Sequence, residues 1–119
     1  MEKVANVADG MDNTYVMILA TASSQDEAAV ITEQLLEHHL VACVQQLEIK
    51  SSYHWKGELN RDDEILLMMK GRADLFAEVE QCILEHHSYE VPEIVCVPLL
   101  AGHAPYLRWI DEVLVKQVN

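Results

Sequence analysis

Basic residues are scarce in this chain of 119 residues. Eight lysines and arginines stand against twenty aspartates and glutamates, and the net charge is −12. Nucleic-acid binding needs a basic surface that neutralises phosphates, and binding to an anionic membrane surface needs clusters of basic residues. We therefore expect neither a nucleic acid nor a membrane as a partner. An acidic surface is compatible with cation binding, although it mainly favours solubility.

Long hydrophobic runs are also missing. The longest, residues 94–101, is interrupted by Pro98 and falls well short of the roughly 20 residues of a transmembrane helix. Residues 1–13 lack the apolar core of a signal peptide, and we predict a flexible tail ahead of a single domain over residues 14–119. The three cysteines are an odd number without a C-x-x-C pair. This favours free thiols in the reducing cytosol, and hence a cytoplasmic protein.

The predicted secondary-structure elements follow a repeated order. A β-α-β unit is followed by a second β-α-β unit and then by a terminal helix. Ser24 begins a helix with an S-x-x-E capping box, and Pro105 suits the first turn of the last helix. Lys56-Gly57 separates two strand-like runs and indicates a long hairpin. Residues 36–39 and 84–87 both read Leu-Glu-His-His, each at the end of a predicted helix. A duplicated β-α-β unit predicts an α+β fold of the ferredoxin-like, split βαβ type with an antiparallel sheet.

The predicted strands are apolar on both faces. In the first, Tyr15, Met17 and Leu19 alternate with Val16 and Ile18, so neither side is polar. Three helices cannot easily cover two faces of a sheet, and a large uncovered apolar face is unusual in a monomer. We therefore predict that copies of the chain cover it in a closed oligomer. The alternative is that the terminal helix crosses to the second face and a monomer suffices.

The adjacent pair His86-His87 and the nearby Cys82 are the candidate metal ligands. Imidazole suits copper, zinc and nickel, and Cys82 lies one helical turn before His86. His87 can join them only if the helix frays, which Ser88 and Pro92 favour. The alternative is that these side chains serve the core or cap the helix. A nucleophilic Cys82–His86 pair lacks a third orienting group and an oxyanion motif, so we expect no enzymatic activity.

A second candidate site lies on the long hairpin. Tyr53 and Trp55 stand close together, with Glu64 and Lys70 further along the second arm. Exposed aromatic residues beside charges suggest an interface or a small cleft. The alternative is that they form cross-strand pairs that only stabilise the hairpin.

Five motifs follow one another along the chain, namely LVACV (40–44), SYHWKGE (52–58), EILLMMK (64–70), HHSYEVPEI (86–94) and YLRWI (106–110). With them the chain resembles the CutA family of divalent-cation tolerance proteins. The resemblance implies a ferredoxin-like subunit, a homotrimer similar in shape to PII signalling proteins, and binding of copper or other divalent cations. It assigns metal binding to His86 and His87. The family's cysteine ligand corresponds to Ala20 here, so water, Cys82 or a neighbouring chain would have to complete the site.

Three hypotheses follow. The first is a cytosolic, non-enzymatic homotrimer that binds divalent cations, with Cu²⁺ as the expected ion. The second is a PII-like regulator that binds a small anion or a partner protein at inter-subunit clefts, lined by Tyr53, Trp55, Glu64 and Lys70. The third is a scaffold that holds a partner protein through its exposed hairpin.

Overall fold

The computed structural model describes residues 15–114, and the predicted tail at residues 1–13 lies outside the described residues. The elements are β1 (Tyr15–Ala22), α1 (Gln25–Glu37), β2 (Cys43–Trp55), β3 (Glu58–Arg72), α2 (Phe76–His86), β4 (Ile94–Pro98) and α3 (Ala104–Val113), with a 3₁₀ turn at Ala73–Leu75. Every strand pairing is antiparallel, and the strand order is β2-β3-β1-β4. This order is that of the split βαβ arrangement, so the predicted ferredoxin-like α+β fold is confirmed.

Local side-chain and backbone hydrogen bonds define both ends of α1. The Ser24 hydroxyl accepts a hydrogen bond from the backbone N–H of Glu27 at 3.1 Å, as the capping box predicts. At the other end His39 has a φ of 56°, and the backbone N–H of Leu40 returns to the carbonyl of Leu35 at 3.0 Å. This is a Schellman motif with a histidine at the position that usually holds glycine. The apolar run LVACV predicts a strand from residue 40, but Leu40 is used in this cap and β2 begins only at Cys43.

One face of the sheet packs against α1 and α2 and forms the main core. The alternation of β1 and β3 directs every second side chain into it, and the helices supply the matching apolar faces. Its fully buried members include Val16, Ile18, Ala28, Ile31, Leu35, Leu67, Met69, Val79 and Ile83.

Helix α3 crosses to the second face and covers one end of the sheet. Ile110 and Leu114 are buried against Leu75, with Tyr15 packed beside them. The Tyr15 hydroxyl donates to Asp111. The terminal helix therefore does cross to the second face, as the alternative in the sequence analysis supposed, but only at this end of the sheet.

The rest of the second face stays uncovered in the single chain. Leu47, Val95 and Val97 are 54%, 44% and 39% exposed. They lie on the same face because Leu47 pairs with Leu66, while Val95 and Val97 pair with Leu19 and Met17. We call Leu47, Val95 and Val97 the open face. Within residues 15–114, no helix has the length and apolarity needed to cross a membrane.

Candidate functional site

The predicted metal ligands lie at the end of α2, where the helix gives way to an extended segment. His86 is the last helical residue, and His87 already has extended backbone with φ −99° and ψ 145°. The imidazole of His86 turns back along the helix, so that its Nδ1 lies 2.9 Å from the carbonyl oxygen of Cys82. A carbonyl can only accept, so Nδ1 carries the proton and Nε2 has the lone pair a metal would need. Within residues 15–114 no hydrogen bond engages that Nε2.

His87 has a different environment from its neighbour. Its side chain is 1% exposed, and its Nε2 donates to the carbonyl oxygen of Thr21 at 2.6 Å. Its Nδ1 accepts from the backbone N–H of Tyr89 at 3.0 Å. A ring that donates at one nitrogen and accepts at the other is neutral, so the carboxylate of Glu27, 3.8 Å from Nδ1, makes no ion pair with it. A metal ion could use His87 only by displacing one of these two bonds.

Cys82 belongs to the core. It is 8% exposed and packs in the main cluster, and burial, together with the nearby charge of Glu85, raises the pKa of its thiol. A raised pKa disfavours the thiolate that binds metal ions. Within residues 15–114, no three histidine, cysteine or acidic side chains converge closely enough to hold a metal ion. The described part of one chain thus presents a single available imidazole here, that of His86.

Glu27 ties this segment to the start of α1. Its Oε1 accepts from the backbone N–H and the hydroxyl of Ser23 at 2.7 and 2.8 Å, and its Oε2 accepts from the backbone N–H of Ser88 at 2.5 Å. Burial alone raises the pKa of this carboxyl, but the hydrogen bonds from Ser23 and Ser88 outweigh it, and the pKa is lowered overall. The carboxylate therefore fixes the backbone directly after His87.

The second candidate site is a groove between the hairpin arms and the segment after α2. It has a volume of about 780 Å³. Three of the four residues predicted for a cleft line it, namely Tyr53, Trp55 and Glu64. The remaining lining residues are Thr21, Ser51, Ser52, Ser88, Tyr89, Glu90, Val91, Pro92 and Glu93.

Lys70, the fourth predicted cleft residue, lies elsewhere. It follows Glu64 by six residues on the same strand, which at a rise of about 3.3 Å per residue separates them by roughly 20 Å. Its Nζ donates to Oε1 of Gln45 at 2.9 Å. Within one chain, the groove therefore lacks Lys70, the one basic residue among the four predicted to line an inter-subunit cleft.

Glu64 and Tyr89 both line the groove and are hydrogen-bonded to each other. Glu64 is only 6% exposed, and its Oε2 accepts from the hydroxyl of Tyr89 at 2.9 Å. Burial, and then this hydrogen bond to Glu64, raises the pKa of Tyr89. The ring of Tyr89 in turn lies 4.9 Å from that of His87, centroid to centroid. Tyr53 donates to Asp62 on the neighbouring strand.

Tyr89 lines the groove but is not among the four residues predicted for the cleft. Its motif, Ser-Tyr-Glu-Val-Pro-Glu, follows the second histidine pair directly, and Pro92 favours extended backbone there. That pattern indicates a polar connecting segment. Only the tertiary contact with the hairpin brings it opposite Glu64.

Comparisons with known proteins agree on one family. The model of the CutA1 divalent ion tolerance protein matches residues 16–113. A divalent-cation tolerance protein CutA from Archaeoglobus fulgidus is 40% identical over 95 residues, which are 80% of this chain and 93% of the relative. The corresponding protein from Thermus thermophilus is 36% identical over 97 residues, or 81% of this chain and 94% of the relative.

A solved structure gives the same result for the fold. The periplasmic divalent cation tolerance protein CutA from Archaeoglobus fulgidus superposes with a TM-score of 0.82 at 38% identity, covering 83% of this chain and 97% of that one.

Proposed function

Because the chain belongs to the CutA1 divalent ion tolerance family, we propose that it is a non-enzymatic protein that binds divalent cations, with Cu²⁺ as the expected ion. The observation that carries this proposal is the family match over residues 16–113. The three free thiols, Cys43, Cys82 and Cys96, support a reducing compartment, and we place the protein in the cytosol on that ground.

Within this proposal His86 is the residue that faces the metal. Imidazole nitrogen is a good ligand for Cu²⁺, and the Nδ1 bond to the Cys82 carbonyl fixes the ring so that Nε2 carries the lone pair. His87 holds the segment in place through Thr21 and Tyr89. One imidazole does not bind copper tightly by itself, so the remaining ligands come from water or from neighbouring chains.

We further propose that the assembled form is a homotrimer. The open face, Leu47, Val95 and Val97, supports an assembly because such a surface is unfavourable in water. The trimer also offers a way to complete the site, since it brings symmetry-related chains together.

Titration of Cu²⁺ by isothermal calorimetry into the wild type and His86→Ala tests the metal proposal. The chain supplies a matched control in His38, whose Nδ1 lies 2.9 Å from the carbonyl of Gln34 at the end of α1, in the same geometry. We expect His86→Ala to weaken binding by about tenfold or more, which corresponds to about 1.4 kcal/mol, and His38→Ala to leave it unchanged. Equal losses in both variants, or none in either, would remove the assigned residue.

The groove favours a second candidate function, that of a regulator or scaffold that binds a small ligand. Its volume of about 780 Å³ lies within the range of small-molecule sites. The buried Glu64 and the exposed Trp55 both line it. A ligand-dependent rise in melting temperature that is lost in Glu64→Gln but kept in His86→Ala would support this function separately from metal binding.

A further inference from the structure

All the charged residues that line the groove are acidic. Of its twelve lining residues, three are acidic, Glu64, Glu90 and Glu93, and none is lysine, arginine or histidine. The second hypothesis from the sequence was a small anion or a partner protein bound at inter-subunit clefts that include Lys70. With Lys70 bonded to Gln45 instead, the groove offers an anion no charged partner among its lining residues.

Glu64 is the central feature because it is buried. A carboxylate that is 6% exposed has lost most of its hydration, and such charges are normally paired. The hydrogen bond to Glu64 that the structure describes is the neutral one from the Tyr89 hydroxyl. Within residues 15–114, no lysine, arginine or histidine forms an ion pair with it. A positively charged group entering the groove would supply a charge partner that the described residues of one chain do not.

The walls of the groove also suit a cation. Three of the lining residues, Tyr53, Trp55 and Tyr89, are aromatic. The faces of such rings attract cations, tryptophan most strongly. The chain already shows this at Trp55, where Nζ of Lys56 lies 5.6 Å from the ring centroid.

Size and polar lining narrow the class of cation. A volume of about 780 Å³ is far larger than a metal ion and fits a small organic molecule. Ser51, Ser52, Thr21 and Ser88 add hydroxyl groups, which accept hydrogen bonds from N–H donors. We propose that this groove binds a small aliphatic amine through its primary ammonium group, with Glu64 as the charge partner and Trp55 as the aromatic wall.

This inference deepens the second function proposed above, and it does not depend on copper binding. The test uses three probes with a five-carbon chain, which are 1,5-diaminopentane, 1,5-pentanediol and glutarate. Isothermal calorimetry at low salt, with EDTA present to remove metal ions, compares the three on the full-length protein. We expect the diamine to bind, and the neutral diol and the anionic glutarate to bind at least about tenfold more weakly. Equal binding of diamine and diol would overturn the proposal, as would no binding of the diamine at millimolar concentration.

Variants locate the site. Glu64→Gln keeps an oxygen that can accept from Tyr89 but removes the charge, and we expect diamine binding to fall about tenfold or more. Glu58→Gln, an exposed glutamate outside the groove, is the matched control and should bind as the wild type does. Retained affinity in Glu64→Gln, or an equal loss in Glu58→Gln, would overturn the assignment.

A second variant keeps the test decisive if Glu64→Gln folds poorly. Trp55→Leu changes a side chain that is 41% exposed and leaves the buried carboxylate intact, and we expect it to weaken diamine binding several-fold. Unchanged affinity would remove the aromatic wall from the proposal. Lys56→Gln should bind the diamine at least as well as the wild type, because it removes a competing ammonium group. A loss there would indicate that Lys56 forms part of the site.

Two further measurements separate this proposal from related ones. Cu²⁺ titration of His86→Ala and of Glu64→Gln distinguishes failure of the metal site from failure of the groove, since each variant should affect one ligand only. A capped Gly-Lys-Gly peptide presents the same ammonium on a protein segment. If it binds more tightly than the diamine, the small-molecule assignment is wrong.

Discussion

At the scale of single residues, hydrogen bonds decide what the two histidines can do. The spacing in the sequence correctly placed His86 at a helix end, and the helix does stop there. It could not show that His87 is engaged at both nitrogens, because one partner is Thr21 on a distant strand. Periodicity describes the direction of a side chain from its own helix, whereas these partners depend on tertiary packing.

Glu27 allows a prediction about pH. Its pKa is lowered from 4.5, so its carboxylate stabilises the fold above pH 4.5, and this contribution is lost as the pH falls through the lower value in the folded state. Glu27→Gln should reduce the free energy of unfolding by about 1.5–3 kcal/mol near neutral pH, the range for hydrogen bonds to charged groups. Urea unfolding at a series of pH values should show the gap between wild type and variant narrowing as the pH falls below 4.5.

The control for this prediction lies on the same helix. Glu33 is exposed, and Glu33→Gln should change the free energy of unfolding by less than about 0.5 kcal/mol at any pH. A gap between wild type and Glu27→Gln that stays constant as the pH falls well below 4.5 would mean that the hydrogen bonds from Ser23 and Ser88 do not depend on the charge.

His39 stores backbone strain and also makes a long-range bond. Its φ of 56° favours glycine, while its Nδ1 lies 2.9 Å from the carbonyl oxygen of Val113 at the end of α3. Both His39→Gly and His39→Ala lose the bond to Val113, but only glycine relieves the strain. We expect the alanine variant to be less stable than the glycine variant by about 1 kcal/mol in chemical unfolding. Equal stability of the two would show that the left-handed conformation costs little here.

At the scale of elements, the sequence predicted types better than boundaries. The hairpin, the capping box and the proline at the start of α3 rest on local chemistry, and all are present. Leu75, Val79, Ile83 and His86 share one helical face, which predicts a helix over about residues 73–87, but residues 73–75 form a 3₁₀ turn. Arg72 donates to both carboxylate oxygens of Asp74, at 2.9 and 3.0 Å, just where the helix was expected to begin. Such side-chain pairs are not visible as a period in the sequence.

The hairpin turn gives a prediction at this scale. Lys56 and Gly57 have φ values of 52° and 82°, as a type I′ turn requires, and lysine is a poor residue for the first position. Lys56→Asn should stabilise the protein by roughly 0.5–1 kcal/mol, because asparagine tolerates positive φ. Thermal unfolding should show a higher midpoint. Lys56→Ala is the comparison. It removes the ammonium over Trp55 but keeps a side chain at a position with positive φ, so it should not stabilise the protein.

At the scale of the whole molecule, the strands were predicted to be apolar on both faces, so that the helices would leave one face uncovered, and that face exists. The sequence could not predict which part of this face α3 covers. Its packing depends on contacts between distant residues, such as Arg72 Nη1 donating to Asp111 at 3.0 Å. One end of the face is thereby covered within the chain, and the open face remains for another copy.

The proposed homotrimer makes a prediction that concerns the open face directly. Wild-type protein should run in sedimentation or light-scattering experiments at three times the 13.5 kDa of one chain. Val95→Glu places a charge on the open face, and a buried unpaired charge is costly, so we expect dissociation to the single chain. Leu100→Glu is the matched control, because Leu100 is 101% exposed and lies outside the open face.

The two variants carry the same added charge, so a difference between them reports its position. The core that α1 and α2 share with the sheet is untouched by Val95→Glu, and its circular dichroism should stay that of an α+β protein even as a single chain. Wild-type protein at 13.5 kDa and micromolar concentration would contradict the assembly. It would mean that the cover provided by α3 is sufficient, and that any additional ligands for His86 must come from solvent.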